Sequence, residues 1–248
     1  RSTELLFGQI ERFDKMLADL LEISRFDAGS AALSLQEWDV GEIARDVIDF
    51  AQPLAQANGC QIRLHIEGNK VTAVVDHTRI ERILRNLVVN ATEHGEGKPI
   101  DSNVVGEDTA VAVRVRDHGI GMSEEVAEHV FDRFYRADPS RARKSGGTGL
   151  GLSISREDAA LHNGTLSAWG WPGDGAAFLL LIPRKQDVPA GRGPLDVIPP
   201  DAPLEALVKD VAGHMGPNPE PVPTPSLGLP LLIPATRWAD EEEENDAS

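Results

Sequence analysis

The stretch "NLVVNATEHG", residues 86–95, places two asparagines, Asn86 and Asn90, four positions apart among apolar residues. Residues four apart lie on the same face of an α-helix. Asparagine is a poor helix former because its amide competes with the backbone for hydrogen bonds. Two amides on one face of a helix that otherwise favours burial therefore indicate that this face does more than pack.

Two glycine clusters lie downstream of this segment. "DHGIGM" (117–122) follows a predicted strand that ends at Asp117, and "GGTGLGLSI" (146–154) directly precedes a predicted helix. Such glycines let backbone approach a ligand closely, and a helix N-terminus offers free N–H groups to phosphate. The spacing is neither that of the G-x-G-x-x-G dinucleotide motif nor that of a P-loop. Each cluster alone also fits an ordinary turn, but together they predict a nucleotide site on another scaffold.

The chemistry of three neighbouring features fits this hypothesis. The amide oxygen of Asn90 is a suitable ligand for Mg²⁺, which takes few protein ligands besides water and substrate phosphates. Asp117 is a candidate acceptor for the exocyclic amine of adenine; the alternative is a strand-end carboxylate that faces solvent. Residues 131–147, called here the lid segment, carry several basic side chains between the two glycine clusters. This position predicts a lid over a triphosphate, although a charge run is more often a solvated face.

The remaining patterns predict an α+β fold, a two-layer α/β sandwich of one sheet and one helical layer. We expect a helix over 40–58, another over the long stretch that contains 86–95, and a third over 150–162. Alternating stretches such as "QIRLHIEG" and "TAVAVRVRD" predict strands. The turn at 172–175 joins a last pair of strands, so antiparallel hairpins are expected.

The chain divides into three predicted regions. Residues 1–30 form a helix with an apolar seam at steps of 4, 3, 4 and 3, which is typical of a coiled coil or bundle and needs a partner helix. Docking of this helix on its own domain is the alternative. Residues 31–184 form the catalytic domain, and residues 185–248 form a proline-rich, acidic, disordered tail. The seam residues are Leu6, Ile10, Phe13, Leu17 and Leu20.

The composition excludes some classes of protein. A formal net charge of −16, half of it after residue 184, argues against a nucleic-acid partner. The single cysteine, Cys60, forms no internal disulfide, which fits a reducing cytosol. No apolar run approaches the roughly 20 residues that a membrane span requires. The chain opens inside a helical pattern, so we expect a piece of a longer protein.

Five stretches together resemble the ordered motifs of sensor histidine kinases, whose ATP-binding domain has the Bergerat (GHKL) fold shared with the Hsp90, gyrase and MutL ATPases. They are "NLVVNATEHG", "DHGIGM", "VFDRFYRAD", "GGTGLGLSI" and "GDGAAF". The segment "DLLEISRFDAG" similarly resembles the end of the second helix of the dimerisation and phosphoacceptor domain. The stretch "ALHNGTLSAWGWPGDGAAFLL" most resembles actinobacterial sensor kinases of the MtrB type.

The resemblance implies ATP and Mg²⁺ as cofactors and a role for each matching position. Asn90 would bind the metal, Asp117 would bind adenine, and Phe131 and Phe134 would anchor the lid. It also implies a response regulator as partner, a second kinase chain in a homodimer, and a cytoplasmic location with membrane attachment only through a missing N-terminal part. The implied ATP-binding residues are Asn90, Asp117, Gly119, Gly121, Arg136, Lys144, Gly147, Thr148, Gly149, Leu150 and Gly151.

Three features depart from the family pattern or refine it. In the ATP-hydrolysing relatives, the position of Asn86 is a glutamate that activates water, whereas an amide cannot take up that proton. The resemblance therefore implies a catalytic site at Asn86 that holds ATP without hydrolysing it. Glu93 stands where many members carry a basic residue. The first histidine, His65, lies beyond the helical segment, so the phosphoacceptor histidine is missing and we expect no autophosphorylation of this chain alone.

Two other functions stay open from the residues. One is an ATP-hydrolysing, chaperone-like protein of the same fold, against which Asn86 argues. The other is a non-catalytic interaction module that has kept the nucleotide-binding fold, against which the intact glycines, Asn90 and Asp117 argue.

Overall fold

The computed structural model describes residues 2–68, 71–137 and 148–207. The helices and strands are α1 (Ser2–Asp27), β1 (Gln36–Asp39), α2 (Val40–Ala57), β2 (Ile62–Glu67), β3 (Thr72–Val75), α3 (His77–His94), β4 (Ile100–Gly106), β5 (Ala110–Asp117), α4 (Glu124–His129), α5 (Gly151–Leu161), β6 (Thr165–Trp171) and β7 (Gly175–Pro183).

A five-stranded sheet with the order β2-β4-β5-β7-β6 forms one layer of the domain. The pairs β4–β5, β5–β7 and β6–β7 are antiparallel, whereas β2 and β4 are parallel. Helices α2, α3 and α5 pack on one face, and β1 pairs with β3 beside the sheet. The predicted two-layer α+β sandwich is confirmed. The sequence patterns missed β4 and its parallel pairing with β2.

Helices α2 and α3 begin and pack as their sequences dictate. Asp39 and Asp76 cap them, each accepting a hydrogen bond from the backbone N–H three residues further on. Each helix then buries one apolar face against the sheet, with Ile80, Ile83 and Leu87 of α3 fully enclosed. The face of α3 that carries Asn86 and Asn90 is only partly buried. Burial of the apolar face therefore orients the helix so that both amides point away from the core.

A buried ionic cluster fixes α5 against α3. The Asp158 carboxylate is fully buried and accepts hydrogen bonds from Arg79 at 2.7 Å and from Arg82 at 2.8 Å. Burial raises the pKa of this carboxyl, although both guanidinium groups oppose the rise. His162, which ends α5, accepts the Asp76 backbone N–H at 3.0 Å. These contacts hold the C-terminal half of α5 against the N-terminal half of α3.

The C-terminal half of α1 docks on this domain through a face other than the predicted seam. Ile23 packs with Leu150 and Ile154, and Phe26 lies beside them. The described seam side chains stay between 38% and 61% exposed. The alternative considered from the sequence was that α1 docks on its own domain. This alternative is correct for the C-terminal end of the helix, whereas the apolar seam contacts no partner among the described residues. Those exposed seam residues are Ile10, Phe13, Leu17 and Leu20.

Polar contacts from the same face of α1 complete the docking. Glu22 lies 3.5 Å from Arg79 and 3.3 Å from Arg82. Asp27 accepts a bidentate pair of hydrogen bonds from Arg133, at 2.7 and 3.0 Å. The end of α1 is therefore tied both to the helical layer and to the lid segment, by exposed or half-buried charges that salt screens.

The prediction that the disordered tail begins at residue 185 is wrong for residues 185–207. This stretch, called here the C-terminal strap, lies on the outer face of the sheet. Leu195 and Val197 pack on Leu179 and Leu181 of β7, and Ala206 is buried. The strap covers apolar surface that water would otherwise meet, so the ordered chain extends past the predicted boundary. Residues 208–248 of the predicted tail lie outside the described residues.

Candidate nucleotide-binding site

A cavity of about 420 Å³ opens between α3, α4, the described start of the lid segment and the residues that follow the segment. That volume falls in the usual range for small-molecule sites, roughly 300–1,000 Å³. Its lining brings together most of the positions that the sequence motifs predicted. The lining residues include Asn86, Asn90, Glu93, Ile120, Gly121, Met122, Tyr135, Arg136, Thr148, Gly149, Gly151, Phe178 and, from α1, Lys15.

The two asparagines of α3 both line this cavity but differ in their contacts. The amide Nδ2 of Asn86 donates to the Gly151 carbonyl at 3.1 Å and to the Ser155 hydroxyl at 3.0 Å. Asn86 thus joins α3 to the first turn of α5. Asn90 lies one turn further along α3 in the cavity wall. The amide of Asn86, predicted for catalysis, is held in place by α5, whereas the Asn90 side chain makes no hydrogen bond to the described residues.

Asp117 ends β5 directly behind the cavity wall and is 2% exposed. Its Oδ1 accepts the backbone N–H of Gly119 at 2.9 Å. Burial raises the pKa of the Asp117 carboxyl, while backbone hydrogen bonds from Gly119 and Ala176 oppose that rise. The carboxylate is therefore rigidly oriented and poorly hydrated, which suits recognition of a single polar group on a ligand.

Close backbone contacts require glycine around Asp117. A Cβ on Gly119 would lie 1.8 Å from the His94 carbonyl oxygen, and one on Gly121 would lie 1.8 Å from that of Trp171. Gly121 also has a φ of +70°, which L residues rarely adopt. The first glycine cluster thus lets the loop after β5 pass between α3 and the β6–β7 turn. Gly119 itself lies behind the cavity lining.

The lid segment begins and ends at fixed points. Phe131 is buried and meets the Phe178 ring edge-on at 6.2 Å, as expected for an anchor. The Phe134 side chain is 56% exposed, so the expectation that its ring anchors the lid is wrong. Phe134 acts through its backbone instead, whose N–H donates to the Gly149 carbonyl at 3.0 Å. The Thr148 hydroxyl donates to Asp19 of α1 at 2.9 Å.

Besides Asp117 and Gly119, which lie behind the wall, one further described residue among those predicted to bind ATP, Leu150, does not line the cavity. The Leu150 side chain is fully buried with Ile23 and Ile154, so it faces α1. Lys144 and Gly147 lie outside the described residues, as do Arg141 and Arg143 of the lid segment.

The charges at the cavity rim come partly from an element that the motifs did not implicate. Glu93 lines the cavity; burial against its walls raises the pKa of this carboxyl, and the charges of Lys15 and Arg136 oppose the rise. Lys15 lies on the docked face of α1. No sequence motif contains it, and the only signal was its position on α1 away from the apolar seam.

The cavity offers few ligands for a metal ion. Among the described residues, no group of three or more His, Cys, Asp or Glu side chains forms a metal cluster. The Asn90 amide and the Glu93 carboxylate instead offer two oxygen-bearing side chains on one wall. This small set fits Mg²⁺, which completes its shell with water and phosphate oxygens.

No helix in the described part of the chain is long and apolar enough to cross a membrane.

Comparison with known proteins agrees with this geometry. Residues 75–186 match the family described as histidine kinase-, DNA gyrase B- and HSP90-like ATPases. That range runs from β3 to just beyond β7 and includes the lining residues from α3 to Phe178. The chain thus contains a domain of the type that histidine kinases share with DNA gyrase B and HSP90.

The chain is also similar in sequence to a curated sensor histidine kinase. The chain is 46% identical to the sensor histidine kinase MtrB of Mycolicibacterium paratuberculosis over 205 residues, which cover 82% of this chain and 36% of that protein. It spans about a third of the length of this curated relative.

Solved structures share the fold. Full-length ShkA in complex with AMPPNP has a TM-score of 0.63 and 26% identity, covering 72% of this chain and 37% of that one. The histidine kinase ThkA in complex with the response regulator protein TrrA has a TM-score of 0.59 over 74% of this chain and 50% of that one. At 23% identity, ThkA supports the fold alone.

Proposed function

We propose that this chain is the catalytic part of a two-component sensor histidine kinase. It binds ATP with Mg²⁺ and presents the γ-phosphate to a histidine carried on a phosphoacceptor helix outside this sequence. A response regulator then receives the phosphoryl group from that histidine. The observation that carries the proposal is the pairing of Asn86 and Asn90 on one cavity wall with a buried Asp117 behind it.

Each residue has a stated task in this proposal. The Asp117 carboxylate accepts a hydrogen bond from the exocyclic amine of adenine. Because Asp117 is buried, the loss of that hydrogen bond is costly. Asn90, together with Glu93, supplies oxygen ligands to Mg²⁺, which would neutralise phosphate charge when bound. Arg136 and Lys15 contribute positive charge at the rim, and Lys144 and Gly147 are proposed to do so from the lid. Gly149 and Gly151 give the phosphates access to backbone.

The same site is suited to retain ATP rather than hydrolyse it. An amide such as Asn86 does not take up a proton at neutral pH, and its nitrogen already donates to Gly151 and Ser155. It therefore cannot act as the general base for water. Transfer of the phosphoryl group depends on positioning a separate nucleophile, as phosphoryl-transfer chemistry generally does.

One observation favours a second candidate, an ATP-hydrolysing enzyme. Glu93 lines the cavity with a raised pKa, which is a property of many general bases. Steady phosphate release at about one per second or faster, lost in Glu93→Gln, would favour this candidate. A rate of phosphate release that stays at background in both proteins favours the kinase.

The test of the kinase proposal uses γ-labelled ATP with this chain, alone and mixed with a segment that carries the phosphoacceptor histidine. We expect label on the added segment only. Stable label on this chain alone would contradict the proposal, which places the phosphoacceptor histidine on another segment.

We further propose a homodimer in the complete kinase, formed through the exposed seam of α1. The spacing of Ile10, Phe13 and Leu17 supports this, as coiled-coil and bundle helices bury such a seam. Attachment to the membrane is proposed only through a part outside this sequence, with this domain on the cytoplasmic side. A response regulator is the proposed partner, and ThkA, which shares the fold, was solved in complex with the response regulator protein TrrA.

A further inference from the structure

The C-terminal strap lies on the face of the sheet opposite to the cavity, yet it contacts the strand that ends in Asp117. Side chains alternate along β5, so Val113, Val115 and Asp117 belong to the inner face, whereas Arg114 and Arg116 lie on the outer face. The strap covers this outer face. Two arginines that a bare sheet would expose to water are 8% and 3% exposed as a result.

Arg116 is held by two carboxylates from different segments. Its Nη2 donates to Asp174 in the β6–β7 turn at 2.8 Å, and its Nε donates to Asp201 of the strap at 3.1 Å. The guanidinium also lies 5.3 Å from the ring centre of Trp169. Its Nη1 is buried without a partner. A buried cation of this kind depends on its two carboxylates, because removal of one leaves charge poorly compensated.

Asp201 reaches the other neighbour of Asp117 as well. Its carboxylate lies 3.9 Å from Nδ1 of His118, whose Nε2 contacts Asp101 at 2.9 Å. A single strap residue thus contacts the residues on both sides of Asp117. The backbone at 116–118 determines where the Asp117 carboxylate points, so contacts that fix its neighbours also fix its orientation.

We propose that Asp201 is a positioning residue for adenine recognition: through Arg116 and His118 it holds Asp117 in the orientation that accepts the exocyclic amine. This inference rests on the proposed function of Asp117. It assigns to the strap a role in nucleotide selectivity, from the side of the sheet that nucleotide never touches. Asp201 itself is 52% exposed, so its replacement removes the contact without opening the core.

The test measures dissociation constants of the full chain for ATP and for inosine triphosphate, whose base carries an oxo group in place of the exocyclic amine. For Asp201→Asn we expect ATP affinity to fall about threefold to tenfold, a change typical of coupling between residues in contact. Affinity for inosine triphosphate stays unchanged, because that base makes no amine contact with Asp117. Asp201→Glu restores part of the ATP affinity.

Asp196→Asn is the matched control. It makes the same charge change in the same strap, but Asp196 contacts Arg114 through its backbone carbonyl, which the substitution leaves in place. We expect unchanged affinity for both nucleotides. A second check combines Asp201→Asn with Asp117→Asn, where the strap substitution adds no further loss of ATP affinity because the residue that it positions is already altered.

The outcomes separate this inference from the proposed function. A wild-type chain that binds no ATP overturns both. If the wild-type chain binds ATP and Asp201→Asn binds it equally well, or loses both nucleotides to the same extent, the positioning role is wrong and the proposed function stands. An equal loss in Asp196→Asn also overturns the inference, since the effect would then come from charge alone.

Discussion

The two ends of the cavity are built in different ways. Around Asp117, the wall consists of backbone in close contact, where Gly119 and Gly121 leave no room for a Cβ. At the other end, side chains from separate segments meet: Asn90 of α3, Arg136 of the lid segment and Lys15 of α1. The adenine end is therefore rigid and local. The phosphate end depends on how α1 and the lid are placed, which suits a site that must pass a phosphoryl group to another segment.

The largest loss of ATP affinity is expected from Gly121→Ala, which alters the rigid adenine end of the cavity. The new Cβ would lie 1.8 Å from the Trp171 carbonyl oxygen in a backbone with positive φ. Strain and overpacking of roughly 1–3 kcal/mol each predict a loss of ATP affinity of about a hundredfold or more, measured by calorimetry.

Gly173→Ala is the control for that change. Gly173 also has a positive φ, +82°, but no atom lies within 4 Å of the added Cβ. We expect ATP affinity within about threefold of wild type, because only the backbone preference is lost. Equal losses in the two variants would mean that strain, and not close contact, explains the glycine at 121.

The next effect, in Asp117→Asn, tests recognition at the same end. Loss of a hydrogen bond to a charged group, roughly 1.5–3 kcal/mol, predicts ATP binding weakened by about tenfold or more. The raised pKa of Asp117 adds a pH dependence. The carboxylate is the acceptor, so ATP affinity of the wild type falls as pH drops through that pKa, starting above the range of an ordinary aspartate. Asp117→Asn lacks this dependence, and a pH profile shared by both proteins would contradict the assignment.

Asn90→Ala and Asn86→Ala compare two amides on one wall. We expect Asn90→Ala to raise the Mg²⁺ concentration needed for half-maximal ATP binding by about tenfold, without loss of stability. Asn86→Ala removes two hydrogen bonds to α5 and lowers the free energy of unfolding by about 1–2 kcal/mol. Its Mg²⁺ titration stays unchanged. The reverse pattern would exchange the two roles.

The smallest effect is expected at the assembled end, from Lys15→Gln. One exposed positive charge at the rim contributes weakly, so ATP affinity falls about twofold to threefold at low salt and not at all at high salt. Lys98→Gln makes the same charge change outside the cavity lining and leaves affinity unchanged at both salt concentrations. A loss that persists at high salt would mean that Lys15 contributes more than screened charge.

The rigid end was largely predictable from sequence, and the assembled end was not. Close backbone contact demands glycine at fixed spacing, so Gly119 and Gly121 left a readable motif. Lys15 left none, because a single charge on a helix surface has no periodic pattern. The same reasoning explains the docking of α1, whose polar contacts at Asp19 and Asp27 are invisible to a search for apolar seams.

Two misses in the fold have a common cause. The β4 segment "IDSNVVG" has too little apolar alternation to be recognised as a strand. It forms a strand because β2 and β5 pair with it on either side. The strap is proline-rich and acidic, which composition equates with disorder. Yet Leu195 and Val197, two positions apart, meet an apolar sheet face. In both segments tertiary contact outweighs local propensity.

The proposed property of this cavity is that it binds ATP and keeps it intact. Its most direct test passes the full chain, mixed with γ-labelled ATP and Mg²⁺, over a gel-filtration column and identifies the label that elutes with the protein. We expect intact ATP in the protein peak. A peak without nucleotide, or label recovered mainly as inorganic phosphate, would contradict it.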